Sequence, residues 1–256
     1  MNLIQTIILS IVEGITEFLP ISSTGHLILV SKLLSINPTN FTKSFEIAIQ
    51  LGAIASVAVL YAQKILTNKK LIPILLVAFI PTGIVGIIAY PLIKKVFLES
   101  TTITLVSLFI GGIAIILIEK FYKPKNLTKS VTEITYKNAF LIGLAQSISV
   151  IPGVSRAAAT IFGGIFVHLT REAAIEFSFL LAVPTMLAAT ALDIVKSRSE
   201  FSSADFMQIG LGFVVSFLVA LAAVKFLIKF IKQNDFTSFG VYRIIIALLG
   251  FLFLLK

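Results

Sequence analysis

Charged residues are scarce in this sequence, and cysteine and tryptophan are absent. Of its 256 residues, 13% are charged and 57% are hydrophobic, whereas soluble globular domains carry about 25% charged residues. So few polar side chains cannot cover a water-exposed surface, which excludes a soluble domain and favours a protein surrounded by lipid. Without cysteine, the chain can form neither disulfides nor a thiolate nucleophile or metal ligand.

The positive charge has a simpler explanation than nucleic-acid binding. Lys and Arg number 21 and Asp and Glu number 12, a net charge of +9. The lysines lie in short segments between apolar stretches, where membrane topology explains them. We therefore expect membrane lipid around the protein and no nucleic-acid partner.

Six stretches are apolar and long enough to cross a bilayer, which takes about 20 helical residues. They are residues 44–61, 71–90, 101–118, 174–195, 206–224 and 241–255. The predicted fold class is therefore all-α, a polytopic membrane protein with about six spanning helices.

Two further regions, residues 3–34 and 139–169, are apolar but interrupted. The first contains Pro20, and the second contains Pro152 followed by Gly153. Non-helical backbone at membrane depth survives only inside protein or beside water. We predict that each region is a helix–break–helix segment that re-enters the membrane side from which it came.

The distribution of lysine predicts the orientation. Segments 63–70, 119–137 and 225–235 together hold 11 Lys, whereas segments 91–100 and 196–205 hold four basic residues. Because basic loops stay in the cytoplasm, the first three segments should be cytoplasmic and both termini external.

The two interrupted regions resemble each other at an offset of 132 residues. This offset aligns Pro20 with Pro152, and Ser23 with Ser155. It predicts one integral membrane domain with two inverted repeats, about 1–118 and 138–256, joined by a cytoplasmic linker, 119–137. Inverted repeats with broken helices place binding sites near the membrane midplane.

The first break is surrounded by carboxylates. Glu13 and Glu17 are four residues apart and share one helix face. Adjacent carboxylates repel each other unless a cation or a proton lies between them, and charges at membrane depth usually mark a functional site. Their oxygens suit a hard divalent cation such as Mg²⁺ or Ca²⁺. Solvated carboxylates at the membrane surface are the alternative.

Hydroxyl groups and a histidine follow the same break. Ser22, Ser23 and Thr24 can cap the next helix and bind an anion, and Gly25 permits close backbone approach. His26 is a candidate acid, base or phosphate donor.

The second break supplies an arginine. Gly153, Ser155 and Thr160 surround Arg156, the side chain best suited to bidentate phosphate contact. One break thus supplies an acid and a base, and the other supplies an anion clamp, which together fit phosphoryl chemistry. A structural role for Arg156 near the membrane surface is the alternative. Arg243 lies near a span end, where a solvated or snorkelling role is expected.

Long motifs in this order resemble the bacterial undecaprenyl-diphosphate phosphatase family associated with bacitracin resistance. The resemblance covers nearly the whole chain through EGITEFLPISSTGH at 13–26, FEIAIQLGAI at 45–54, PGVSR at 152–156 and EFSFLLAVP at 176–184. It implies removal of one phosphate from undecaprenyl diphosphate, which regenerates the lipid carrier for cell-wall polymers. It also implies dependence on divalent cations, and an active site open to the outer face of the bacterial cytoplasmic membrane.

The resemblance also assigns roles to individual residues. The positions that match the family's functional residues are Glu13, Glu17, Ser23, His26, Ser155, Arg156 and Thr160. The family commonly reads Ser-Arg-Ser-Gly where this chain has Ser155-Arg156-Ala157-Ala158. The second serine of the family therefore has no counterpart here, while the arginine is kept.

Other functions and details stay open at this stage. Inverted repeats with broken helices also occur in transporters, so a lipid-carrier transporter or flippase is the runner-up. A phosphatidic-acid-type phosphatase would need a histidine six residues after the arginine, where this chain has Phe162. The sequence decides neither between Ser23, His26 and water as the nucleophile nor between a monomer and a homodimer.

Overall fold

The computed structural model describes residues 1–92, 100–125, 127–196 and 203–254, and these residues form helices and no β-sheet. The helices are α1 (Leu3–Thr16), α2 (Ser23–Leu33), α3 (Asn40–Thr67), α4 (Leu71–Leu92), α5 (Thr101–Phe121), α6 (Tyr136–Ser147), α7 (Arg156–Phe166), α8 (Arg171–Lys196), α9 (Ser203–Ile231) and α10 (Thr237–Leu254). Most of segments 91–100 and 196–205, the predicted outer loops, lies outside the described residues.

Six of these helices are long and apolar enough to cross a membrane: α3, α4, α5, α8, α9 and α10. Each contains one of the six predicted spans, so the prediction of an all-α polytopic membrane protein is confirmed. The outer face of α4 shows the typical pattern, because Leu76, Ile80, Ile84 and Ile88 repeat every four residues and are about half exposed or more. Such a stripe suits contact with lipid chains.

The remaining helices are too short to span. Helices α1, α2, α6 and α7 have 14, 11, 12 and 11 residues, or roughly 16–21 Å at 1.5 Å per residue, against a hydrocarbon core of about 30 Å. They form two helix–break–helix pairs, α1–α2 and α6–α7, at the predicted places. Re-entry of these pairs into the membrane stays a prediction.

The two breaks share an unusual backbone conformation. Ser22 and Ser155 have φ values of 73° and 76°, and each accepts a hydrogen bond in the first turn of the following helix. Ser35 and His168, which follow α2 and α7, also have positive φ. Both pairs are 133 residues apart, so the residue equivalent to Ser155 is Ser22 and not Ser23, as the offset of 132 predicts. The second break is one residue longer between its proline and its capping serine.

Small residues allow the long helices to approach closely. A Cβ atom added to Gly112 in α5 would lie 2.7 Å from the carbonyl oxygen of Gly240 in α10, and one added to Gly240 would lie 2.8 Å from that of Gly112. Small residues favour such close packing in membranes, where no hydrophobic effect drives helices together.

A buried ion pair closes the lysine-rich end of the molecule. Glu119 at the end of α5 is 4% exposed and pairs with Arg171 at the start of α8. It also accepts a hydrogen bond of 3.2 Å from the backbone N–H of Phe236, just before α10. This carboxylate therefore ties α5, α8 and α10 together at the ends that adjoin the basic segments.

Candidate active site

Both breaks line one cavity of about 160 Å³. Pockets that enclose a whole small molecule measure roughly 300–1,000 Å³, so this cavity is suited to a phosphate-sized group rather than a lipid chain. The predicted site residues that line it are Glu17, Ser22, Ser23, Thr24, Gly153, Ser155 and Arg156. The structure therefore brings together residues up to 139 positions apart.

A carboxylate and a hydroxyl meet in this cavity. Glu17 directly follows α1, and Ser23 is the first residue of α2, so the break folds one side chain back onto the other. Ser23 Oγ donates a hydrogen bond of 2.6 Å to Glu17 Oε2. A hydroxyl held by a neighbouring carboxylate is an arrangement that activates a serine nucleophile.

Arg156 occupies the opposite side of this carboxylate. Its Nη2 lies 2.7 Å from Glu17 Oε1, and its Nη1 donates to the carbonyl oxygen of Ser178 at 3.0 Å. The guanidinium carbon lies 5.7 Å from the ring centre of Phe18, within range of a cation–π contact. Its Nε is buried and has no hydrogen-bond partner among the described residues. The fork is thus fixed on two sides and keeps one donor free.

Glu13 is a buried carboxylate without a partner. It is fully buried, and neither of its oxygens has a hydrogen-bond partner among the described residues. It interacts electrostatically with Glu17 and Glu46, and with the more distant charge of Arg156. Breaking a buried ion pair and leaving one charge uncompensated costs about 3–5 kcal/mol, so Glu13 needs a cation or a proton.

The donor set suits a hard cation shared with a substrate. Within the described part of the chain, no group of three His, Asp or Glu side chains is arranged to hold a metal ion by itself. Mg²⁺ usually binds one or two carboxylates and completes its shell with water and substrate phosphates. Glu13 and Glu17 can supply those carboxylates beside the cavity.

Two helices begin at the cavity. Ser22 Oγ caps α2 by accepting from the N–H of Gly25 at 3.3 Å, and Ser155 Oγ caps α7 by accepting from the N–H of Ala158 at 3.1 Å. The N-terminus of a helix attracts anions through its dipole and its free N–H groups. Both breaks therefore offer positive potential to an anionic group in the cavity.

Residues 6–249 match the family of the bacitracin resistance protein BacA. The chain belongs to this family. It is 50% identical to a protein named undecaprenyl-diphosphatase from Sulfurihydrogenibium sp. (strain YO3AOP1), over 98% of this chain and 99% of the relative. A protein of the same name from Persephonella marina is also 50% identical, over 100% and 99% of the two chains. One from Aquifex aeolicus is 47% identical over 95% of each chain.

Arg243 is the residue of this BacA-family site that sequence reasoning missed. It is fully buried, although a solvated or snorkelling side chain is the expectation at its position, and that expectation is wrong. Its guanidinium donates five hydrogen bonds of 2.7–3.3 Å to backbone carbonyls, those of Pro20, Ser107, Leu108, Gly153 and Val154. One side chain of α10 thus holds both breaks against α5.

Gly153 belongs to the same contact. Its φ is +91°, and an added Cβ would collide with the carbonyl oxygen of Thr104 in α5. Only glycine adopts this conformation without strain and also permits that approach. The role of Gly153 that the structure supports is therefore placement of the second break.

Three predicted site residues do not line the cavity. His26 turns its imidazole towards Tyr242 of α10. Thr160 Oγ1 donates within α7 to the carbonyl of Arg156 at 2.8 Å and lies 3.2 Å from Gln146 Oε1. Gly25 packs against α5 inside the first turn of α2. Their assigned roles in catalysis and substrate binding stay predictions.

Gln50 of α3 and Thr185 of α8 line the cavity and were not predicted as contacts. Gln50 occurs in the family-like segment 45–54, expected to supply only supporting hydrogen bonds. Its distance of 27 residues from Ser23 in the sequence gives no sign that both face one cavity.

Proposed function

We propose that this chain hydrolyses undecaprenyl diphosphate to undecaprenyl phosphate and inorganic phosphate. The product is the carrier lipid on which cell-wall polymers are assembled. Relatives named undecaprenyl-diphosphatase match the chain from end to end, and the fold is that of a multi-pass membrane protein. Neither the names of these relatives nor the cavity favours the transporter alternative.

The unpartnered atoms of the site carry this proposal. Glu13 offers two carboxylate oxygens that need positive charge, and Arg156 offers an Nε donor that needs an acceptor. A diphosphate accompanied by a divalent cation supplies both at once. Native structures rarely leave buried polar groups unpaired, and exceptions commonly mark functional sites.

Ser23 is the proposed nucleophile and Glu17 its base. Ser23 Oγ attacks the terminal phosphorus while its proton passes to Glu17 Oε2, to which it is already hydrogen-bonded. The bond from this phosphorus to the bridging oxygen breaks, and undecaprenyl phosphate leaves. Water then attacks the phosphoserine, with Glu17 again accepting a proton, and free phosphate departs.

Charge neutralisation is shared between the two breaks. Arg156 and the N-termini of α2 and α7 bind the phosphoryl oxygens, on which negative charge is spread in the transition state. Glu13 and Glu17 are the proposed ligands of a divalent cation, Mg²⁺ or Ca²⁺. Such an ion supplies additional neutralisation of the diphosphate when it is bound.

The position of the cavity along the long helices supports an outward-facing site. Gln50 lies in the first half of α3 and Thr185 in the second half of α8. The opposite ends of these helices adjoin the lysine-rich segments 63–70 and 119–137. If basic segments are cytoplasmic, the cavity lies nearer the outer face of the bacterial cytoplasmic membrane.

Phosphate release by purified protein tests this function. With undecaprenyl diphosphate in detergent micelles and Mg²⁺ present, we expect steady release by the native chain. We expect almost none from Ser23→Ala. Ser149→Ala is the matched control, because Ser149 lines the same cavity away from Glu17, and it should keep most of the activity. No release by the native chain would refute the proposal.

A further inference from the structure

A chain of hydrogen bonds runs from α10 to the first break. His26 Nε2 lies 2.8 Å from the hydroxyl of Tyr242, and His26 Nδ1 lies 2.7 Å from the carbonyl oxygen of Ser22. The two rings are parallel to within 2°, with centroids 5.6 Å apart. His26 is 7% exposed, so these contacts are largely shielded from water.

These contacts define the tautomer of the imidazole. A carbonyl oxygen only accepts hydrogen bonds, so Nδ1 must carry a proton and donate it to Ser22. In the neutral ring Nε2 is then unprotonated and accepts from the hydroxyl of Tyr242. Both nitrogens are engaged, and neither faces the cavity. The geometry therefore favours a brace over a proton carrier.

The brace acts on a strained residue. Ser22 has a φ of 73°, a conformation that non-glycine residues adopt only when their surroundings hold them there. Its carbonyl receives both the backbone N–H of His26 at 3.2 Å and the imidazole. Ser22 lines the cavity and directly precedes Ser23.

The other break is held differently. The residue equivalent to His26 is Ala159, whose side chain has no donor for the carbonyl of Ser155. Arg243 instead binds the carbonyls of Gly153 and Val154, just before Ser155, and in the first break it binds that of Pro20. The first break thus needs a second support close to its capping serine.

We propose that Tyr242 is a positioning residue of the phosphatase reaction. It holds His26 with the proton on Nδ1, and His26 in turn fixes the carbonyl of Ser22 and the start of α2, where Ser23 awaits the substrate. The catalytic part of this proposal rests on the proposed function; the tautomer does not.

A double-substitution cycle tests the catalytic part. Tyr242→Phe keeps the ring and removes the hydroxyl, and we expect kcat to fall roughly 10-fold with little change in KM. His26→Asn keeps an N–H donor near the Nδ1 position, whereas His26→Ala removes it. We expect His26→Asn to retain several-fold more activity than His26→Ala. In the His26→Ala background, Tyr242→Phe should have no further effect, because the contact that it breaks is already lost.

Independent, multiplicative effects of the two substitutions would overturn the proposal, as would native kcat in Tyr242→Phe. Tyr122→Phe is the matched control, since the hydroxyl of Tyr122 bonds to the carbonyl of Phe166 outside the cavity, and it should be silent. The tautomer is measured on the native protein by ¹⁵N NMR of histidine, with His168→Gln to assign the second signal. We expect a proton on Nδ1 of His26. An Nε2-protonated or doubly protonated ring would overturn the proposal even if phosphate release failed to be observed.

Discussion

Replacing Arg243 with lysine should loosen both breaks at once. The guanidinium satisfies five backbone carbonyls with its five N–H donors, whereas an ammonium offers three donors, so at least two carbonyls lose their partner. Each unsatisfied buried acceptor costs about 1–3 kcal/mol. The loss should therefore be about 3 kcal/mol or more, although the positive charge is kept.

Circular dichroism at the helical band suits the measurement, since the chain has neither tryptophan nor cysteine for fluorescence methods. By analogy with soluble domains of similar size, about 3 kcal/mol corresponds to a fall in Tm of roughly 6–12 °C. At a temperature where the variant is folded, kcat should still fall at least 10-fold, because Ser23 and Ser155 follow the released carbonyls. Arg171→Lys is the control for the same change of side chain far from the cavity, and its kcat should stay near native. Native Tm and kcat in Arg243→Lys would refute the reasoning.

Three further outcomes follow from the site and the topology. EDTA should abolish phosphate release and Mg²⁺ should restore it, while Glu13→Gln should need far more Mg²⁺; full turnover under rigorously metal-free conditions would exclude the cation. Arg156→Lys should lower kcat by roughly 100-fold, on the order of 3 kcal/mol, with a smaller change in KM; an unchanged kcat would remove Arg156 from the transition state. Single cysteines introduced at Asn37 and Asn68 should react in intact cells with an impermeant reagent at the first position only, and the reverse result would invert the orientation.

The architecture could be predicted because it depends on local patterns. Long apolar stretches specify spanning helices in any bilayer. A proline among polar residues, as at Pro20 and Pro152, marks a break. The proximity of Glu17 and Ser23 is also local, because six residues across a break bring the side chains together.

The supports of the site could not be predicted in this way. Arg243 binds backbone carbonyls, which every residue carries, so its partners leave no trace in the sequence. Tyr242 meets His26 from 216 residues away, and nothing in either segment indicates the other. The repeat was found one residue out of register, because the alignment followed the prolines, whereas the conserved backbone geometry belongs to Ser22 and Ser155.

The stereochemical course at phosphorus tests most directly whether Ser23 takes the phosphoryl group. The substrate is undecaprenyl diphosphate whose terminal phosphorus is a chiral, isotopically labelled thiophosphate, hydrolysed in labelled water by the native protein. Two in-line displacements, first by Ser23 and then by water, each invert the configuration. The account therefore predicts net retention in the released thiophosphate. Net inversion would contradict it, and would show that water attacks the diphosphate directly with Ser23 only binding the phosphate.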